Sequence, residues 1–280
     1  MDIEKYRHPF IYYGISILGA WIFFFSAAII SHSPLWEIHG WVVFASILGL
    51  LGLCVPMVTA FVMILPDREM RAELKSATFN FKGIHWSWFA LIILLPFAFI
   101  FLSQAISLLF GYSAEQFKIT ESFSFSAGIF PVWFLLIIAP IFEEFGWRTY
   151  GTHCIRRSFN LFTTCLIFGI LWALWHVPLA FIKDYYHSNV VETGVLHSIN
   201  YVVSLIPYLI FNGWVYYKTK RNMLIQIMIH LPFNFSMELF RTHPDTKIIY
   251  TVLFLIFCAV IVMKDRKFFF DKTFEVEVAR

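Results

Sequence analysis

A chain of 280 residues that is 59% hydrophobic and 20% aromatic, with only 14% charged residues, is not an ordinary soluble domain, in which about a quarter of the residues are charged. The composition is that of a polytopic membrane protein, and a net charge of +3 is too small to suggest a nucleic-acid partner. The four cysteines include no Cys-x-x-Cys pair, so neither a disulfide framework nor a thiolate metal site is indicated.

Residues 1–9 carry Glu4, Lys5 and Arg7 ahead of an apolar run too long for a signal-peptide core and without a good cleavage site. A retained first span is therefore expected. At about 17–25 apolar residues per crossing, eight spans are predicted: 10–30, 41–65, 86–110, 127–146, 161–182, 195–217, 223–240 and 248–263. No internal repeat or low-complexity linker interrupts them, so the expectation is an all-α protein with one integral-membrane domain over 1–280. Gly49, Gly52 and Pro56 predict a kink in the second span. Segment 67–85 mixes charged and apolar residues and reads equally as a surface-lying helix or a solvated loop.

Lysine and arginine test the count. With a cytoplasmic N-terminus, sixteen fall on the inside, among them Arg68, Arg71, Lys75, Lys218, Lys220, Lys264 and Arg280. Only Lys118, Lys183, Arg241 and Lys247 fall outside, with Arg148 set apart at a helix end. Both termini are thus expected in the cytoplasm. Trp36, Trp41, Trp86, Trp88, Trp133 and Trp214 lie near span ends, where interfacial aromatics belong.

Three polar groups sit where an apolar span should be. Glu143 and Glu144 follow the apolar run 129–142, and an acidic residue near mid-membrane costs roughly 2.5–3.5 kcal/mol on insertion scales. Glu144 and Arg148 are four apart and share a helix face. Glu143 is turned about 100° away and needs a partner on another helix. His176 is followed by Pro178 in the fifth span. His230 and Asn234 share one face of the seventh, with Pro232 between them and Gln226 and Glu238 extending the stripe. Broken helices beside polar side chains are tolerated where they face protein or a water-filled cavity, which points to an internal, wet site. Each group also has a plainer reading. Glu144–Arg148 is an ordinary helix-end ion pair, His176 a helix–helix hydrogen bond, His230 and Asn234 interhelical glue, and Gln226 and Glu238 structural.

If the groups converge, their chemistry is narrow. A carboxylate beside a neutral imidazole can take a proton from water. A second imidazole with a carboxamide can stabilise an oxyanion. Together they hydrolyse an acyl bond without a covalent intermediate. The same two histidines and one glutamate are also a possible zinc set with a fourth position for water, although no His-Glu-x-x-His run is present. A proton relay in a transporter uses similar residues, but the inverted repeat expected of one is missing.

Glu143-Glu144-x-x-x-Arg148, an aromatic four before a histidine (Trp172, His176) and His230-x-x-x-Asn234 together resemble the CPBP intramembrane proteases. That family includes the Rce1-like type 2 CAAX prenyl proteases and the bacteriocin-processing or self-immunity (Abi) proteins. The match covers the fourth to seventh spans, about 127–240. The resemblance implies a glutamate-type endopeptidase without a metal cofactor. In it Glu143 and His176 activate water, His230 and Asn234 form the oxyanion hole, and Glu144 and Arg148 support them. It implies the C-terminal tail of a prenylated CAAX-like protein, or a related hydrophobic peptide, as substrate. The site would be a cavity open to the cytoplasm from a prokaryotic plasma membrane. A non-proteolytic peptide-binding or regulatory member is the alternative within the same family. The family usually has Phe where this chain has Trp172, and the larger ring is expected to narrow the cavity. One difficulty stands: straight spans with these boundaries put Glu143 nearer the cytoplasm and His176 nearer the outside.

Overall fold

The computed structural model describes residues 3–272, so Arg280, counted above with the inside charges, lies outside the described residues. Long helices run in alternating directions: α1 (Pro9–Ser31), α2 (His39–Ile64), the short α3 (Arg68–Phe79), α4 (Trp86–Leu108) and α5 (Val132–Gly146). A π-helical turn (Trp147–Gly151) leads into α6 (Thr152–Arg156). Then follow α7 (Leu161–His176), a 3-10 turn (Val177–Phe181), α8 (Tyr186–Thr193), α9 (Val195–Lys218), α10 (Met223–Glu238), α11 (Pro244–Lys264) and α12 (Arg266–Phe270). Among the described residues the only β pairing is an isolated bridge between Ile119 and Phe240.

The protein is all-helical, as expected. Among the described residues, six helical segments are long and apolar enough to cross a membrane: α1, α2, α4, α7 with its 3-10 turn, α9 and α11. The two other expected spans coincide with α5, of 15 residues, and α10, of 16. Both are shorter, as regular α-helices, than a membrane crossing needs.

The fourth span needs a correction. Its helix begins at Val132 rather than 127, because Gly128 takes a left-handed φ of 65° and Pro131 stands as the extended residue before the first turn. It also runs on past residue 146. Gly146 and Gly151 both hold right-handed helical angles, so α5, the π-turn and α6 form one continuous helical rod to Arg156. Gly146 is there for close approach. A Cβ on it would come 2.8 Å from the backbone of Pro56 and Met57 in α2. Tyr12 of α1 donates its hydroxyl to the Gly146 carbonyl at 2.7 Å, so three helices are pinned at that point. Small residues at such crossings are the usual means of close packing between membrane helices.

Segment 67–85 resolves in favour of the helix. The Asp67 carboxylate accepts from the amides of Glu69 (2.8 Å) and Met70 (2.9 Å) and so starts α3. Those amides, that of Met70 foremost, hold the Asp67 carboxyl below its ordinary value. Glu73 of α3 pairs with Lys5 at 2.7 Å and approaches Arg221 at 3.8 Å. These contacts gather the N-terminal segment, α3 and the α9–α10 connection on one face of the bundle. The opposite face is equally well tied: the Thr120 amide donates to Leu239 and that of Ser126 to Asp184. The basic segments and residues 3–8 therefore share one end, and the connections at 109–131, 182–194 and 239–243 share the other.

Candidate active site

Glu143, Glu144, His176 and His230 are all buried, between 3% and 8% exposed, although each is ionisable. The lengthened α5 brings them to one level. Glu143 is thirteen residues above Arg156, a rise of about 20 Å, and His176 is fifteen above Leu161 on the antiparallel α7, about 22 Å. The depth mismatch expected from the shorter span disappears for that reason.

Glu143 does find its partner on another helix. Its Oε2 accepts a 2.8 Å hydrogen bond from the indole Nε1 of Trp172 on α7. Trp172 is therefore more than a bulkier cavity wall. Its ring lies 5.0 Å from the His176 ring, 5.9 Å from the His230 ring and 5.7 Å from that of Tyr208, centre to centre. The indole joins the three groups that the sequence placed on different spans.

His176 directs Nδ1 at the Trp172 carbonyl, 2.7 Å away. A carbonyl can only accept, so Nδ1 carries the proton, and in the neutral ring Nε2 keeps its lone pair. The helix changes at this residue because Pro178 has no amide for the Leu174 carbonyl. Val177 turns its own amide to that oxygen in a 3-10 bond, and Trp21 of α1 adds its indole N–H at 3.0 Å. The end of α7 is thus held by a second helix rather than left frayed.

Glu144 does more than pair with Arg148. Its Oε2 takes Arg148 Nε at 3.2 Å, while Oε1 takes His230 Nδ1 at 2.9 Å. Arg148, in the π-turn and 2% exposed, also lies over the Phe168 ring at 5.1 Å. Arg148, Glu144 and His230 form a buried chain that fixes the imidazole and presents its Nε2 edge. A carboxylate orienting an imidazole through Nδ1 is familiar from hydrolytic triads. Asn234, one turn along α10 from His230, faces the same cavity.

That cavity has a volume of about 450 Å³ and is lined by Glu143, Trp172, His176, His230, Asn234 and Tyr208, among others. A smaller one of about 110 Å³, walled by Phe24, Leu50, Leu53, Ala139 and Leu179, also reaches Glu143 and His176. The carboxylate lies where the two meet. Gln226 lies outside the cavity lining, whereas Glu238 is part of it and is bound by Ser124 and Lys247. Among the described residues, no three His, Cys, Asp or Glu side chains are grouped as a metal ion would need.

The sequence missed His187, whose ring stacks on His176 at 5.0 Å and whose Nε2 meets the Tyr201 hydroxyl at 2.8 Å. Residues 183–194 read as an outer connection, and the only local signal was the polar aromatic run Tyr185-Tyr186-His187. The larger cavity also has a mouth. It is framed by Ser124, Tyr186, Asn189, His197, Thr242 and Lys247, at the end of the bundle opposite residues 3–8. An odd number of helical passes separates the start of the chain from each segment of the mouth, so the two lie on opposite sides. A cytoplasmic N-terminus and a cytoplasmic mouth therefore exclude each other.

The family model described as Type II CAAX prenyl endopeptidase Rce1-like matches residues 125–236, which hold Glu143, Glu144, Arg148, Trp172, His176, His187, His230 and Asn234. A CAAX prenyl protease 2 from Methanococcus maripaludis is 32% identical over 274 residues, covering 96% of this chain and 99% of that protein. The chain belongs to the Rce1-like CAAX endopeptidase family. It is a protease built into the membrane. Lysostaphin resistance protein A of Staphylococcus haemolyticus is 24% identical over 134 residues, 47% of this chain and 36% of its own length. The Rce1-like match ends at residue 236, so His230 and Asn234 fall inside it while Glu238 and Lys247 fall outside.

Proposed function

We propose that this CAAX-family protease is a glutamate-type endopeptidase that cleaves the C-terminal tail of a prenylated or similarly hydrophobic peptide. The observation that carries the reading is the convergence of Glu143, His176, His230 and Asn234, from three helices, on one cavity. Glu143, steadied through Oε2 by Trp172, and the His176 Nε2 lone pair take a proton from a cavity water, which attacks the peptide carbonyl. His230, as the imidazolium with Nδ1–H given to Glu144 and Nε2–H left to the cavity, and the Asn234 carboxamide donate to the oxygen that becomes negative. The tetrahedral species collapses, the proton passes to the leaving amine, and acid and amine leave with one water consumed. No covalent enzyme intermediate forms. The smaller apolar cavity receives the start of the lipid chain, and the larger one receives the peptide.

The test uses purified protein and a farnesylated CAAX peptide, with products identified by mass. Cleavage is expected to persist in a strong chelator. A zinc-dependent version of the protease predicts loss of activity with chelator and stoichiometric metal in the protein. A purely regulatory member of the family predicts no product at all.

The mouth's orientation follows from charge. The basic segments share the end that holds residues 3–8, and the positive-inside rule assigns that end to the cytoplasm. The mouth then opens on the other side. In intact cells, a thiol reagent that does not cross membranes should label a Ser113→Cys variant, and a Lys75→Cys variant should be labelled only after lysis. The reverse pattern would invert the assignment.

A further inference from the structure

The mouth of the larger cavity carries one charged pair that the hydrolytic chemistry does not use. Lys247, in the first turn of α11, reaches Glu238 at the end of α10, Nζ to Oε1 3.3 Å. The other Glu238 oxygen accepts from the Ser124 hydroxyl at 2.6 Å and the Ser124 amide at 3.3 Å. Glu238 is only 5% exposed and its two oxygens are engaged. Lys247 is different. Its side chain is 22% exposed, it lies on the cavity wall, and an ammonium has three N–H donors. One donor goes to Glu238, and the Tyr186 ring lies 5.7 Å from the nitrogen. Lys247 and Glu238 both line the cavity, and the Glu238 oxygens are already taken by Ser124 and Lys247, whereas the ammonium keeps N–H donors beyond the one given to Glu238 that can meet a bound anion.

We infer that Lys247 is the subsite for the substrate's terminal carboxylate, and that its distance from the catalytic groups sets how many residues are cut off. The inference rests on the endopeptidase reading. The spacing supports it. Glu238 lies one turn beyond Asn234 and two beyond His230 on α10, a rise of about 6 and 12 Å. A CAAX tail has three residues after its cysteine, and three extended residues span about 10 Å. Because the Lys247 ammonium sits 3.3 Å from the Glu238 carboxylate, a carboxylate held beside it would put the carbonyl of the cysteine at the level of His230 and Asn234. Burying a terminal carboxylate in a membrane cavity without a cation would be costly.

The experiment compares three farnesylated peptides: one ending in the free acid after three residues, its C-terminal amide, and a free acid one residue longer. For the wild-type protein, kcat/KM for the first should exceed that for each of the others by at least about tenfold. In a Glu238→Gln/Lys247→Met double variant, which removes both charges together, the acid-to-amide ratio should fall to within about twofold. Equal cleavage of acid and amide by the wild type, or an undiminished preference in the double variant, would overturn the subsite while leaving the endopeptidase reading intact. If the wild type cleaves none of the peptides, the endopeptidase reading fails and the subsite falls with it.

Discussion

A Glu143→Gln variant is expected to fold as the parent does and to lose about a thousandfold in kcat, within the range that a positioned general base contributes. The amide is nearly the same size as the carboxylate, and its carbonyl oxygen can still accept the indole hydrogen bond from Trp172. What it lacks is the basic lone pair that takes the water's proton. Because the substrate is held by the cavity walls rather than by Glu143, KM should change little. The measurement is single-turnover cleavage of a farnesylated peptide, with thermal unfolding recorded on the same preparation. A loss smaller than tenfold in a fully folded variant would remove Glu143 from the role of base and leave His176 to act alone.

The second large effect is on stability. Arg148→Met removes the guanidinium from a carboxylate that is 3% exposed, leaving Glu144 with His230 as its remaining side-chain partner. Breaking a buried pair from one side costs roughly 3–5 kcal/mol, because the charge left behind is poorly solvated. Unfolding in mixed micelles, followed by circular dichroism, should show the loss. Adding Glu144→Gln to the same protein should restore most of it, since the neutral amide no longer needs a cation and can still accept from His230 Nδ1. If the single variant is as stable as the parent, the ion pair is not what holds the π-turn against α10.

How much of this was legible in the sequence differs from residue to residue for physical reasons. Glu143, His176 and His230 stood out because ionisable side chains in apolar spans are too costly to be incidental. Proximity between them was less visible. The Glu144–Arg148 pair already satisfied the i,i+4 rule, so nothing suggested that the second carboxylate oxygen would reach His230. Trp172 was read by its size, whereas the structure uses its N–H, and that depends on how α7 is rotated about its own axis against α5. The fourth span was misplaced at both ends. Apolar character continues through 127–131 where the backbone turns, and the two glycines at 146 and 151 stay helical. His187 lay in what read as a connection, where hydropathy is silent about packing.

The placement of residues 3–8 at the end remote from the mouth has a practical corollary. A fluorescent or affinity fusion at the amino end would be separated from the entrance by a rod of about 35 Å, the length of a helix such as α1. Such a handle can carry the protein through purification, or tether it to a surface, with the entrance left clear for lipidated probes.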